Sequence, residues 1–382
     1  MPIYEPLTSE KVAVVLDIGS AFTKFGFTSE FAPRNIIRSQ VRCKNTNTIR
    51  RLYDFQSAED LYDLLVEFIH TIFFKYALIS PKDRPVVIVE SLLCPTLFRE
   101  SLAKVLFLQY EVSSILVLPS HLVCLASLAV DTALVVDVGY KEAVVIPVGF
   151  GLPIVQTWQA LPLGGEAIHK NIQVLFNNTS TGAQNLSEEV LEDIKVRCCF
   201  VTKKSRADQL ALPRSDLIPV PDIKYSHRGS QTLTVNGKIR EKAFEILYEE
   251  DNDHFCLSTM ILDAMLLVDR DLRNILAENL VLTGGTCMTP GFKARLKEEL
   301  LKQLSNDRYR KLNVKQFKFH SMPCKENYAS WLGGALYGAT EFLGMKSVTK
   351  EFYLKEKHLP DWINLKDVES ARFGSDVTSA RA

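Results

Sequence analysis

Neither sign of charge prevails in this sequence. Lysine plus arginine and aspartate plus glutamate each number 45, so the formal net charge at pH 7 is zero. Without a basic excess there is no electrostatic footprint for a polyanion, and nucleic acid is not an expected partner. Long apolar runs are missing as well. No stretch approaches the roughly 20 residues of a bilayer-spanning helix, which argues against membrane insertion. The opening MPIYEPLTSEK has neither the basic nor the apolar stretch of a secretory leader. The eight cysteines include the neighbours Cys198 and Cys199, yet none stands in a Cys-x-x-Cys pair or at zinc-ligand spacing from a histidine. That spacing argues against a zinc module and fits reduced thiols in a soluble, intracellular protein.

What is present is apolar material. At 47% of 382 residues it can bury a sizeable core and fill two domains of ordinary size. Within it, VVLDIGSAFTKFGF (14–27) runs an apolar strand into Asp17, turns through Gly19 and Ser20, and returns carrying Lys24. Such a turn exposes backbone N–H groups, and Gly and Ser let a phosphate approach closely. Asp-x-Gly at a hairpin is also an ordinary turn. The pattern recurs in ALVVDVGYKEAVVIPV (133–148), where the strand ends at Asp137 and turns at Gly139. Two similar hairpins suggest a duplicated fold. Around the first, PVVIVE (85–90) and SILVLP (114–119) read as buried strands; around the second, PIVQTW (153–158) and NLVLTGG (279–285) do the same. A mixed sheet flanked by helices is expected in each half.

The best-defined helix starts at Ser57, a suitable N-cap, and places Leu61, Leu64, Leu65, Phe68, Ile69 and Ile72 on one face. That stripe reads as core. In LTGGTCMTPGF (282–292) an apolar strand ends at Gly284 and Gly285, which permits close approach of a flat or anionic ligand, and Thr286 is a candidate cap for the helix that follows. Three glycine-rich strand ends can serve one cleft between paired domains.

DIGSAFTKFGFTSEFAPR, DVGYKEAVVIPV, LEDIKVRCCFV, NLVLTGGTCMTPGF and SWLGGALYG stand in the order and approximate spacing of the phosphate, adenosine and closing motifs of the actin superfamily, which nearly the whole chain resembles. The resemblance implies an α/β actin-like ATPase fold: duplicated ribonuclease-H-like domains around a nucleotide cleft. Residues 1–136, completed by 331–382, would form the first domain, with 35–56 as a reduced second subdomain. Residues 137–330 would form the second domain, with 167–253 as the fourth-subdomain region. LLCPTLFRE, LPSHLVCL, LPLGGEAIHK and PDWINL further resemble the branch of actin-related proteins at the pointed end of dynactin.

Carried over position by position, the resemblance implies ATP or ADP with magnesium as cofactor. Asp17 and Asp137 match the aspartates that hold the magnesium water shell, and Ser20 and Lys24, with Gly19 and Gly139 in the turns, match the phosphate contacts. Gly284, Gly285, Thr286 and Met288 match the adenosine-side loop, Lys195 a base-proximal lysine, and Gly165 the glycine beside the ribose. The departures fall where hydrolysis would be carried out. Ser120 replaces the glutamine that positions the attacking water and Val144 the supporting histidine. Tyr140 and Lys141 replace a carboxylate and a glycine, Val196 an acidic ribose partner, and Asn327 a lysine near the adenine. Catalysis by positioning is sensitive to such losses, so no useful ATPase is expected. Lys141 reads either as a phosphate contact or as a solvated hairpin tip, and His121 as a structural histidine.

A deletion adds to this. Between Pro33 and Ser57 only RNIIRSQVRCKNTNTIRRLYDFQ stands where an actin carries a small subdomain with a long loop reaching toward the pointed end. A head-to-tail filament grows because each interface presents a free copy of itself, and loss of one half stops growth. The segments CLASLAVD (124–131), with Leu128, and GATEFLGMKSVTKEFY (338–353), with Met345, match the walls of the barbed-face groove. The polar and proline-rich stretch 177–238 reads as variable loops suited to cap-specific partners or as plain solvated loop. The expected role is a non-catalytic cap on the centractin filament of dynactin, touching other pointed-end subunits and dynein indirectly, in the cytoplasm and cytoskeleton. The alternatives are an ATP-dependent enzyme of the same fold and a nuclear chromatin-remodeller subunit.

Overall fold

The structure, a computed structural model, describes residues 11–42, 47–178, 185–212, 217–226 and 232–360. The chain divides into two compact units, Met1–Ser127 with Ser330–Ala382, and Leu128–Ala329.

In the first unit, strands β1 (Val14–Ile18), β2 (Phe22–Phe27) and β3 (Asn35–Arg38) form an antiparallel meander, followed by the two-stranded ribbon of β4 (Gln40–Arg42) and β5 (Ile49–Arg51). Strands β6 (Pro85–Glu90) and β7 (Ser114–Pro119) add on the other side of β1, all three parallel, and the short strand Val348–Thr349 closes the order as 348–349, β7, β6, β1, β2, β3. The central parallel strands are continuous apolar runs because both of their faces are covered. The helix Ala58–His70 lays Leu61, Leu64, Leu65, Phe68 and Ile69 into this core, and the Ser57 hydroxyl accepts from Asp60 N as the N-cap. The closing helix Ala329–Gly338 approaches so tightly that a Cβ on Gly334 would lie 2.4 Å from Val89 Cγ2, while Trp331 Nε1 donates to Val15 O at 3.1 Å. That contact explains the paired glycines of SWLGGALYG.

An ion pair anchors the stretch after Pro33. Arg50 of β5 forks onto both carboxylate oxygens of Asp60 at 2.7 Å each, and Gln56 N donates to the same group at 3.0 Å. The Arg50 bond, with that of Gln56, holds the Asp60 carboxyl down at about 2.

In the second unit, β8 (Ala133–Val138) and β9 (Ala143–Gly149) form an antiparallel hairpin. Strands β10 (Leu152–Pro153) and β11 (Gln159–Leu161) pair with β9, β12 (Ile223–Tyr225) and β13 (Leu233–Val235) make a separate ribbon, and β14 (Leu280–Thr283) lies parallel to β8. Helices Gly165–Asn177, Glu188–Cys198, Leu257–Leu267 and Phe292–Gln303 contribute buried faces to one core.

Two local expectations are corrected. PIVQTW is not one strand: after Pro153 the chain makes a 3-10 turn over Val155–Thr157, because the Thr157 N–H and hydroxyl both return to Ile154 O, at 3.0 and 2.8 Å. Thr286 does not cap the following helix, which starts at Phe292 behind Gly291; it lies in a 3-10 turn, Gly285–Met288, and its hydroxyl donates to Gly139 O at 3.2 Å. Within 177–238 the described residues include two helices, Glu188–Cys198 and Lys204–Leu210, and the β12–β13 ribbon. Residues 361–365 of PDWINL lie outside the described residues.

Candidate functional site

The first unit carries the Asp17 hairpin. The β1–β2 register sets Asp17 opposite Lys24, and their charged groups meet at 2.9 Å with side chains only 15% and 17% exposed. The tip is closed by Gly19 N donating to Phe22 O at 3.2 Å, and a Cβ on Gly19 would stand 2.9 Å from that carbonyl. Two later side chains brace it from below. The Ser39 hydroxyl donates to Gly19 O at 2.6 Å while sharing a 2.8 Å bond with Thr23, and the Tyr53 hydroxyl donates to Ile18 O at 2.9 Å. Ser20 sits half-buried on the tip. The sequence pattern finds Asp17, Gly19, Ser20 and Lys24 but not Ser39 or Tyr53, which lie 20 and 35 residues from the groups they hold.

The second unit brings Asp137, Gly139, Gly165, Lys195, Gly284, Gly285 and Thr286 together. β8 and β14 pair Asp137 with Thr283, and the chain then turns at Gly284 with φ of +94°. A Cβ there would fall 2.4 Å from Val138 O and 2.6 Å from Asp137 Oδ1, so only glycine fits both the angle and the space. Gly284 N and the Thr283 hydroxyl both donate to Glu326 O, at 3.0 and 3.3 Å, which fixes the turn. Past it, Gly285 is exposed, with Asn327 Cβ, 4.0 Å from its would-be Cβ, as the nearest neighbour, and Met288 is exposed beside it. The Asn327 Oδ1 is buried without a hydrogen-bond partner among the described residues.

Gly139 O ties the rest together, accepting from Gly165 N at 3.0 Å and from Thr286 Oγ1 at 3.2 Å. Lys195 Nζ reaches to 3.3 Å of where a Gly165 Cβ would be and pairs with Glu192 at 2.6 Å; His169 Nε2 meets the same carboxylate at 2.9 Å. Burial works to raise the Glu192 carboxyl, but the His169 bond and the Lys195 charge outweigh it and hold the group at about 2. Glu192 and His169 escape the sequence reading, although the i, i+3 spacing of Glu192 and Lys195 on one helix is a usable signal.

The departures also have positions. Val144 stands opposite Asp137 in the β8–β9 register and is 7% exposed, with no hydrogen-bonding group on its side chain. Ser120 begins a single helical turn behind Pro119, and its neighbour His121 is buried, which pushes its pKa down to about 4. Val196 is 64% exposed beside Lys195, and Lys141 is half-buried on the hairpin tip. Leu128 closes a 3-10 turn, Ala126–Leu128, half-buried, and Met345 is 68% exposed on the helix Phe342–Lys346.

The donor sets suit a magnesium nucleotide. One hairpin offers a carboxylate and an ammonium beside a glycine turn, the other a carboxylate beside a turn with an open glycine face and an unsatisfied amide oxygen. No group of three or more metal-ligating side chains occurs among the described residues, so a cation here would keep water ligands and borrow phosphate oxygens. Among the described residues no helix is long and apolar enough to cross a membrane.

Residues 8–366 match the family model described as Actin. The chain is 29% identical to "Actin-related protein 10" of Dictyostelium discoideum, with 94% of this chain and 91% of the relative covered. It is 22% identical to "Putative actin-29" of the same organism, with 90% and 94% covered.

Proposed function

The chain belongs to the actin family, and with its α/β actin-like fold as premise we propose that it is a non-catalytic, nucleotide-binding subunit that caps the pointed end of the centractin filament in dynactin. The observation that carries this reading is the short path from β3 to the helix at Ala58. Among the described residues between Arg38 and Ala58 the chain forms the short ribbon strands β4 and β5, pinned by Arg50 to Asp60. No segment there is long enough to serve as a loop for the next protomer, so one half of the repeating interface is lost while the other is retained. The retained half is the pair of apolar segments around Leu128 and Met345. The truncated end is left for non-actin subunits that link the complex to cargo, in support of dynein-driven transport along microtubules in the cytoplasm.

The two hairpins hold ATP or ADP in this reading. In the first unit Asp17 would face the water shell of a magnesium ion and Ser20 and Lys24 the phosphates; in the second, Asp137 would do the same for the ion and Gly284, Gly285, Thr286 and Met288 would receive the adenosine side. Hydrolysis is not supported. Val144 has no group that can orient a water.

Purification of the tagged protein from cells, with identification of co-purifying chains and electron microscopy of the particle, tests the cap. Dynactin subunits should co-purify and the protein should sit at the pointed end. Leu128→Asp should detach it without unfolding it, because an unpaired charge in an apolar contact costs several kcal/mol, on the order of 3. Self-assembly into filaments, or a position along the wall or at the barbed end, would overturn the reading.

A further inference from the structure

Tyr140 stands three residues beyond Asp137, where the second hairpin turns, and it reaches two helices at once. Its carbonyl accepts from Glu166 N at 2.8 Å, at the start of the helix Gly165–Asn177. Its ring meets His169 of that helix edge-on, with centroids 5.7 Å apart. Its hydroxyl donates to Glu188 Oε1 at 2.5 Å, in the first turn of the helix Glu188–Cys198. A Cβ on Gly165 would lie 3.2 Å from Tyr140 Cδ2 and 3.3 Å from Lys195 Nζ, so the phenol ring and the ammonium converge on one face of that glycine.

The hairpin does not need this side chain to form. Gly139 N closes the turn onto Glu142 O at 3.0 Å, and Gly165 N and Glu166 N dock the tip onto the next helix through main-chain carbonyls at 3.0 and 2.8 Å. Those bonds survive any residue at position 140. What the hydroxyl adds is a direct tie between the tip that follows Asp137 and the helix that carries Lys195.

We propose that the Tyr140–Glu188 hydrogen bond is a latch that sets how fast a nucleoside di- or triphosphate leaves this site. The proposal rests on the nucleotide reading above. On that reading a sugar beside Gly165, with its phosphates toward Asp137 and its base side toward Lys195, would border both the hairpin tip and the helix Glu188–Cys198. Its departure requires those elements to part, and parting breaks the bond from a neutral hydroxyl to a carboxylate. Bonds of that type belong to the stronger class in proteins, so breaking this one adds to the barrier to release.

The test loads the full chain with a fluorescent ADP analogue, chases with excess unlabelled nucleotide, and compares release from wild type, Tyr140→Phe, Glu188→Ala, Glu188→Gln and the Phe–Ala double variant. Tyr140→Phe and Glu188→Ala should each release about tenfold faster, and the double variant should be no faster than either, since both remove the same bond. Glu188→Gln, whose amide oxygen still accepts, should fall between. The thermal unfolding midpoint without nucleotide should fall by no more than the few degrees that one hydrogen bond accounts for, which separates a latch from a general loosening. Wild-type release rates in Tyr140→Phe, or multiplied effects in the double variant, would overturn the latch while leaving nucleotide binding in place. A wild-type chain that retains no analogue, and from which no nucleotide is extracted, would remove the nucleotide reading itself and the latch with it.

Discussion

The two Asp-x-Gly hairpins repeat a sequence pattern, yet they are held by different kinds of contact. In the first, Asp17 faces Lys24 across the strands, and the tip is braced by the Ser39 and Tyr53 hydroxyls. In the second, the residue opposite Asp137 is Val144, and the tip is held through main-chain groups of Gly139, Tyr140, Gly165 and Glu166 together with Gly284 packed against the carboxylate. Side-chain hydroxyls supply the long-range braces of the first, whereas the second leans on main-chain bonds and close approach, with the Thr286 and Tyr140 hydroxyls added to them. A brace made of side chains can be weakened in small steps, whereas the close backbone approach at Gly284 leaves no room for a Cβ.

The largest break in that comparison is expected at Gly284. Gly284→Ala forces a Cβ to 2.4 Å of Val138 O at a φ of +94°, so neither rotation nor a flexible neighbour relieves it. Left-handed strain and overpacking together should cost on the order of 4 kcal/mol. Gly19→Ala places its Cβ at 2.9 Å from Phe22 O without a positive φ, and a loss of about 1 kcal/mol is expected. Denaturant unfolding of both variants measures the ratio; equal losses would mean that the hairpins are held alike.

This contrast also marks what the sequence makes legible. Period-two and continuous apolar runs locate β1, β6, β7, β8 and β14 because burial alone dictates those side chains. The Ser57 cap and the Leu61 to Ile69 stripe are legible for the same local reason. Contacts made at long range are not. Ser39 and Tyr53 look like ordinary polar residues until the meander folds them under Gly19, and Glu188 sits 48 residues from Tyr140. PIVQTW misleads because its apolar spacing suits a strand, while the hydroxyl of Thr157 supplies a competing local bond that the pattern does not weigh. Thr286 misleads for a related reason: its hydroxyl has a carbonyl partner far off in sequence at Gly139.

Acid sharpens the comparison by acting on the two units in different ranges. His121, in the first unit, has its pKa pushed from 6.5 to about 4 by burial, so folding favours the neutral ring. That contribution is complete above pH 6.5 and is lost as pH falls toward 4, amounting to about 3 kcal/mol by linkage. Glu192, in the second unit, is held at about 2 rather than 4.5, so its contribution is complete above pH 4.5 and is lost only toward pH 2. Through these two groups the first unit should weaken between pH 6.5 and 4.5 and the second only below that range. Hydrogen exchange should show amides of β1 and β6 losing protection over that range while those of β8 and β14 keep theirs, and His121→Leu should flatten the difference. Parallel loss in both sets would contradict the assignment.

The smallest effect on stability is expected at the pair that distinguishes the first hairpin. Glutamine can still donate a hydrogen bond to Asp17, so Lys24→Gln should cost only about 1 kcal/mol in the absence of ligand. Its effect on nucleotide retention should be far larger, because Lys24 in the proposed role turns from Asp17 toward a phosphate, and an amide brings no charge to that contact. The pair then serves as a store for a cation that ligand binding redirects. In the second hairpin the residue opposite Asp137 is the apolar Val144, so Val144→Ala should alter core packing by about 1 kcal/mol or more and leave retention nearly unchanged. Thermal unfolding and nucleotide extraction on both variants distinguish the cases. Should Lys24→Gln lower stability and retention in proportion, the ion pair would be a structural clasp and the two hairpins would differ in rigidity alone.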